Sequence, residues 1–155
     1  MRKTSKSDFH PSHDIQSLQD IQTFVDRFYR RIQEDDVLGP IFEQVAGVDW
    51  EAHLDLMYQF WDSVLFATGS YKGNPLLAHQ NVNQAVTRFR DKHLNQVDFA
   101  RWLSLFSNTI DSLFCGPRTE QAKRSAHRMA GHLQSVCEPD FRPPTIPLIP
   151  SKFPR

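Results

Sequence analysis

The sequence predicts an all-α domain. Two observations carry that prediction: apolar residues recur at three- and four-residue steps along most of the chain, and no stretch alternates apolar and polar residues as a half-buried strand would. A third sets the limits. The chain has 155 residues and 18.0 kDa, enough for one core. Residues 1–12 are polar and aperiodic and read as a flexible arm. Residues 138–155 hold Pro139, Pro143, Pro144, Pro147, Pro150 and Pro154, which forbid a helix and favour an extended tail. The domain is therefore 13–137, with no internal repeat.

Four main helices follow in order. Ile15, Leu18, Ile21, Phe24, Val25, Phe28 and Ile32 step along one face up to a stop at Leu38-Gly39-Pro40. Asp49 can cap a second helix carrying Trp50, Leu54, Met57, Phe60, Trp61, Val64 and Leu65, which ends near Gly69. A broken region over 69–95 separates it from a third, with Phe99, Trp102, Leu103, Phe106, Ile110 and Leu113, ending at Gly116-Pro117. The fourth starts at Thr119 and puts Ala122, Ala126, Met129, Ala130, Leu133 and Val136 on one face.

Composition excludes several partners. Eighteen Lys and Arg balance eighteen Asp and Glu, so no net charge draws the chain to nucleic acid or acidic lipid. The start is basic but lacks the apolar run of a signal peptide, and no segment reaches the roughly 18 apolar residues of a membrane helix. Cys115 and Cys137 flank the fourth predicted helix, about 25 Å apart at 1.5 Å per residue, whereas a disulfide needs Cα atoms within about 7 Å. Two free thiols fit a reducing cytoplasm. The 12 Phe and 3 Trp are many for such a domain, serving either an aromatic core or the enclosure of something large and flat.

Catalytic motifs are scarce. There is no H-E-x-x-H, no Asp or Glu followed by His three positions later, no Gly-rich phosphate loop and no G-x-S-x-G. Seven histidines remain. His10 and His13 fall at the polar start and read as solvated; His127 and His132 read as surface or structural. His53 shares a helix face with Trp50, Met57, Phe60 and Trp61; His79 follows Gly69-Ser-Tyr-Lys-Gly-Asn-Pro75; His93 lies in a charged stretch. Pattern alone makes each of these three an ordinary packed or half-exposed residue.

The combination of strings says more. Phe24-Val-Asp-Arg-Phe28-Tyr29-Arg, Leu38-Gly-Pro-Ile-Phe42, Trp50-Glu-Ala-His53, Phe60-Trp61, Tyr71-Lys-Gly-Asn-Pro75 with His79, and Phe99-Ala-Arg-Trp102-Leu-Ser-Leu-Phe106 occur in this order. Together they resemble the truncated haemoglobins, group III, over residues 14–137. The resemblance implies a two-over-two helical sandwich around haem b. It maps His79 onto the axial iron ligand, and Tyr29, His53 and Trp102 onto the distal pocket. Phe28, Phe42, Met57, Trp61 and Phe106 would pack against the porphyrin. Lys72, Arg101 and Tyr71 could hold the propionates or simply be solvated. The stretch from His79 to Trp102 is longer than the family leads one to expect, as though 84–92 held an insertion. That leaves His93 as a rival ligand, and His79 is preferred because it closes the Gly-Asn-Pro motif.

The family's chemistry sets the functional expectation. Oxygen on ferrous haem carries partial negative charge, and a hydrogen bond to a charged acceptor contributes ~1.5–3 kcal/mol. Tyr29, Trp102 and His53 each offer a donor. A chain that holds oxygen so tightly is a poor carrier, and is better suited to nitric oxide dioxygenase or peroxidase-like chemistry. The expected ligands are O2, NO and CO, the expected partner a reductase, and the expected state a cytoplasmic monomer. A module that binds or senses gas without turnover is one alternative. A haem-free helical interaction domain is another.

Overall fold

The computed structural model describes residues 11–90 and 92–138, and among these every regular element is helical. The arm over 1–10 and the tail over 139–155 lie outside the described residues. Helix α1 (Leu18–Glu34) begins at Ser17, whose hydroxyl accepts the Asp20 N–H at 3.3 Å. Its apolar stripe Ile21, Phe24, Val25, Phe28, Tyr29 and Ile32 is buried, as the sequence period requires. The chain then turns sharply at Asp35, whose carboxylate accepts the N–H groups of Val37 and Leu38. Gly39 permits the turn: a Cβ there would stand 2.7 Å from the Gln33 carbonyl oxygen. A short α2 (Leu38–Pro40) runs on as one π-helical turn, Ile41–Val45.

Helix α3 (Trp50–Phe66) is capped by Asp49, which accepts the Ala52 N–H, and ends at Ala67 in a left-handed conformation. Helix α5 (Gln96–Asp111) opens on a capping box in which Asn95 and Asp98 satisfy each other's backbone N–H groups. Helix α6 (Pro117–Cys137) takes its cap from a distant residue. Asp14 accepts the N–H groups of Arg118 and Thr119 and the Thr119 hydroxyl, at 2.8, 2.9 and 2.8 Å. Gly116 makes room for it, with φ at 140° and Asp14 standing where a Cβ would go.

The region expected to be broken is instead largely helix α4 (Pro75–Arg90). Proline suits a first helical turn, and the Asn74 side-chain oxygen caps it by accepting the Leu77 N–H at 3.1 Å. Ala78, Val82 and Val86, spaced by four, supply an inward stripe too small and too sparse to stand out among polar neighbours.

The helices form two packed pairs, α1 with α3 and α5 with α6; α1 meets α5, α3 meets α6, and α4 rests on α6. This is the two-over-two arrangement expected. Phe24, Phe28 and Phe106 are almost wholly buried where the pairs cross, each contributing roughly 1.5–3 kcal/mol by burial. Asp35 also receives Arg101 of α5 at 2.8 Å, tying α5 to the end of α1.

Candidate functional site

Between the helix pairs lies a cavity of about 310 Å³, to which α1 to α6 and the π-helical turn among the described residues contribute. Tyr29 enters from α1; Leu38, Ile41 and Phe42 come from the corner that follows. His53, Met57, Phe60 and Trp61 line it from α3; Pro75, Ala78, His79 and Val82 from α4; Asp98, Phe99 and Trp102 from α5. Ala126, Met129, Ala130 and Leu133 close it from α6. Among the described residues Asp98 is the one carboxylate in this wall, and the Arg90 guanidinium and the Asn95 N–H occupy it. The remainder is predominantly apolar and aromatic, the usual character of a small-molecule site.

His53 is boxed by aromatic rings. Tyr29 stands edge-on at 4.9 Å between centroids, Phe42 at 6.0 Å and Trp50 at 6.0 Å, with Trp50 stacked on Phe42. Its Nε2 is buried without a hydrogen-bond partner among the described residues. Burial, and secondarily repulsion from a protonated His79, push the His53 imidazole down to about 4, so it is neutral near pH 7. Burial also lowers His79, partly opposed by a 2.7 Å hydrogen bond between Nδ1 and the Pro75 carbonyl. Since a carbonyl only accepts, Nδ1 carries the proton and Nε2 the lone pair. Burial raises the Tyr29 phenol, which stays protonated and able to donate.

The sequence-derived set divides cleanly in space. Tyr29, Phe42, His53, Met57, Trp61, His79 and Trp102 all line the one cavity. Phe28 and Phe106, expected against a ligand, do not. Phe106 is sandwiched between Trp61 and Trp102, with centroids at 5.0 and 5.6 Å, and Phe28 stands edge-on to Tyr29, Trp102 and Phe106. They back the wall and fix the rings that form it. His93 is not in the wall; its carbonyl accepts from Arg90. Arg101 is engaged by Asp35, Lys72 is exposed, and Tyr71 joins the cavity lining. His127 and His132 are exposed, while His13, though exposed, sets its ring against Phe114 at 5.4 Å. His10 lies outside the described residues. Sequence reasoning missed Leu94 and the cavity role of Met129 and Leu133, because helical period marks an inward face without saying whether it meets protein or space.

No protein-family model matches the chain. Among curated proteins it is similar to the group 3 truncated hemoglobin ctb of Campylobacter jejuni, 26% identical over 119 residues, covering 75% of this chain and 87% of that protein. Among solved structures it superposes on the crystal structure of group III truncated hemoglobin from Campylobacter jejuni. The TM-score is 0.68 at 25% identity, over 81% of this chain and 94% of that one. The fold matches that of the solved group III truncated haemoglobin. In this truncated-haemoglobin frame, the cavity sits where the two helix pairs cross, with His53 and His79 both on its wall.

Proposed function

We propose that the chain is a haem protein that holds dioxygen and related diatomic ligands and uses the held oxygen in redox chemistry with nitric oxide. The observation that carries this reading is the pair of half-buried neutral imidazoles on the wall of one apolar cavity. His79 has its Nδ1 engaged and its Nε2 lone pair available, and His53 has an Nε2 with no protein partner. A buried polar nitrogen left alone costs about 1–3 kcal/mol, so its retention fits a site whose partner is a ligand. These residues fit haem b: His79 would ligate the iron, while Phe42, Met57 and Trp61 would pack on the macrocycle. The group would supply a redox-active iron with a position open to a diatomic gas.

The chain's own contribution is polar and steric. Tyr29 and Trp102 line the cavity, and burial alone, with no hydrogen bond from a described residue, acts on the Tyr29 hydroxyl. The Tyr29 hydroxyl and the Trp102 indole N–H are the donors this wall offers to a ligand atom bearing negative charge. The neutral His53 adds a third polar group, and the aromatic box around it excludes water. Two productive bonds of ~1.5–3 kcal/mol each would slow oxygen release by roughly two to four orders of magnitude. Slow release disfavours transport and favours consumption in place, with nitric oxide, oxygen and one electron giving nitrate. The electron comes from a reductase. Cys115 and Cys137 as free thiols suit a cytoplasmic setting, where the chain acts as a monomer. Among the described residues no helix is long and apolar enough to cross a membrane.

The test is nitric oxide consumption by the reduced protein in the presence of oxygen and a reductant, with nitrate measured as product. Nitrate formed in proportion to nitric oxide consumed supports the dioxygenase reading. Gas binding without consumption would replace it with a sensing or storage module.

A further inference from the structure

Helix α4 carries His79, and two contacts fasten this helix to the last turn of α6. Asn83, one turn beyond His79, donates its Nδ2 to the Cys137 carbonyl at 2.9 Å. The Cys137 thiol in turn lies 3.8 Å from the His79 carbonyl, to which it donates. The other end of Asn83 is used as well: its Oδ1 accepts the Leu94 N–H at 2.6 Å, drawing the turn after α4 back against the helix. Arg90 completes that turn through the carbonyls of Lys92 and His93 and through Asp98. The long stretch between His79 and Trp102 is thus sewn down at Asn83, and Leu94 is delivered to the cavity wall.

We propose that Asn83 is a positioning residue for His79: by joining α4 to the Cys137 end of α6 and to Leu94, it sets where the axial imidazole stands. Asparagine suits the task because its amide offers a donor and an acceptor at once. Both partners are main-chain groups, so the clamp does not depend on the identity of the residues it holds. The ring of His79 is oriented locally by the Pro75 carbonyl on its own helix. The position of that helix against α6 needs a second, long-range constraint, and supporting contacts of this kind tune a metal ligand without touching the metal. The inference rests on the reading of His79 as the axial ligand.

The experiment compares the full-length haem-loaded protein with Asn83→Ala, Asn83→Asp and, as a control, the exposed neighbour Gln84→Ala. The readouts are the iron–imidazole stretch in the resonance Raman spectrum of the ferrous, gas-free form and the rate of haem loss to an excess of apo-globin acceptor. Asn83→Ala should shift or broaden the stretch and speed haem loss about fivefold or more, the worth of one net hydrogen bond; Gln84→Ala should do neither. Asn83→Asp keeps an acceptor for Leu94 but loses the donor to Cys137, and should shift the stretch too. It decides the matter if Asn83→Ala does not fold. A lower melting temperature with an unchanged stretch would overturn the proposal, leaving Asn83 a structural residue only. Absence of a Soret band in the unsubstituted chain would instead overturn the haem reading itself.

Discussion

Tyr29 and His53 stand edge to face, with centroids 4.9 Å apart and ring planes at 86°, yet no hydrogen bond joins them among the described residues. Two polar side chains packed this closely in an apolar wall would ordinarily satisfy each other. Here the two rings touch only by their edges and faces, and neither polar tip satisfies the other.

The hydroxyl of Tyr29 is the cleaner of the two to test. Tyr29→Phe removes one oxygen atom and little volume, so lost packing does not obscure the result. Oxygen release should quicken by roughly tenfold or more, on the scale of one hydrogen bond to a charged acceptor. Carbon monoxide carries little negative charge, so its release should change much less. Stopped-flow displacement of oxygen by carbon monoxide measures the first, and displacement of carbon monoxide by nitric oxide the second. Trp102→Phe should act in the same direction, and equal parent-like rates in both variants would remove the polar wall from the account.

Phe106 is 1% exposed and lies between the stacked rings of Trp61 and Trp102. Phe106→Ala should cost about 3–5 kcal/mol of stability, as large-to-small core changes do. It should also free both indoles, so near-ultraviolet circular dichroism should weaken before far-ultraviolet signal is lost. A variant as stable as the parent, with an unchanged tryptophan environment, would contradict this packing.

Asp14 caps α6 from a residue far away in the chain. Burial pushes its carboxyl upward, but the Arg118 N–H, the Thr119 hydroxyl and the Thr119 N–H outweigh that and hold it below the ordinary value of 3.8. A group lowered on folding contributes stability that is present above its unfolded pKa and is lost as pH falls through its folded one. Asp14→Ala should therefore cost about 1–2 kcal/mol near pH 7, and the gap to the parent should narrow on acidification below about pH 4. Urea titrations at pH 7 and pH 3.5 check both parts. A gap that widens in acid would be the wrong sign.

How much of this was legible beforehand depends on the residue. Helices α1, α3, α5 and α6 carry their apolar residues at clear helical spacing, so their presence and buried faces could be read directly. Helix α4 could not, because its inward stripe uses Ala78 and Val82 while Leu77 and Phe89 point outward, 53% and 63% exposed. That blurs the period. Phe28 and Phe106 show a related limit: period places them inside, but cannot say that other rings stand between them and the cavity. Tyr29, His53, His79 and Trp102 were found through the resemblance of whole strings, not through their own spacing. Asn83 left no signal, since both its partners are main-chain groups at Leu94 and Cys137, brought near only by the fold.

On the function proposed above, His79 makes this cavity a haem site. The most direct measurement is the absorption spectrum of the purified, reduced, carbon monoxide-saturated protein, taken for the parent, His79→Ala and His93→Ala. An intense Soret band is expected in the parent and in His93→Ala, and loss of stably retained haem in His79→Ala. A parent without a Soret band, or a band that survives the loss of His79 and vanishes with His93, would contradict it.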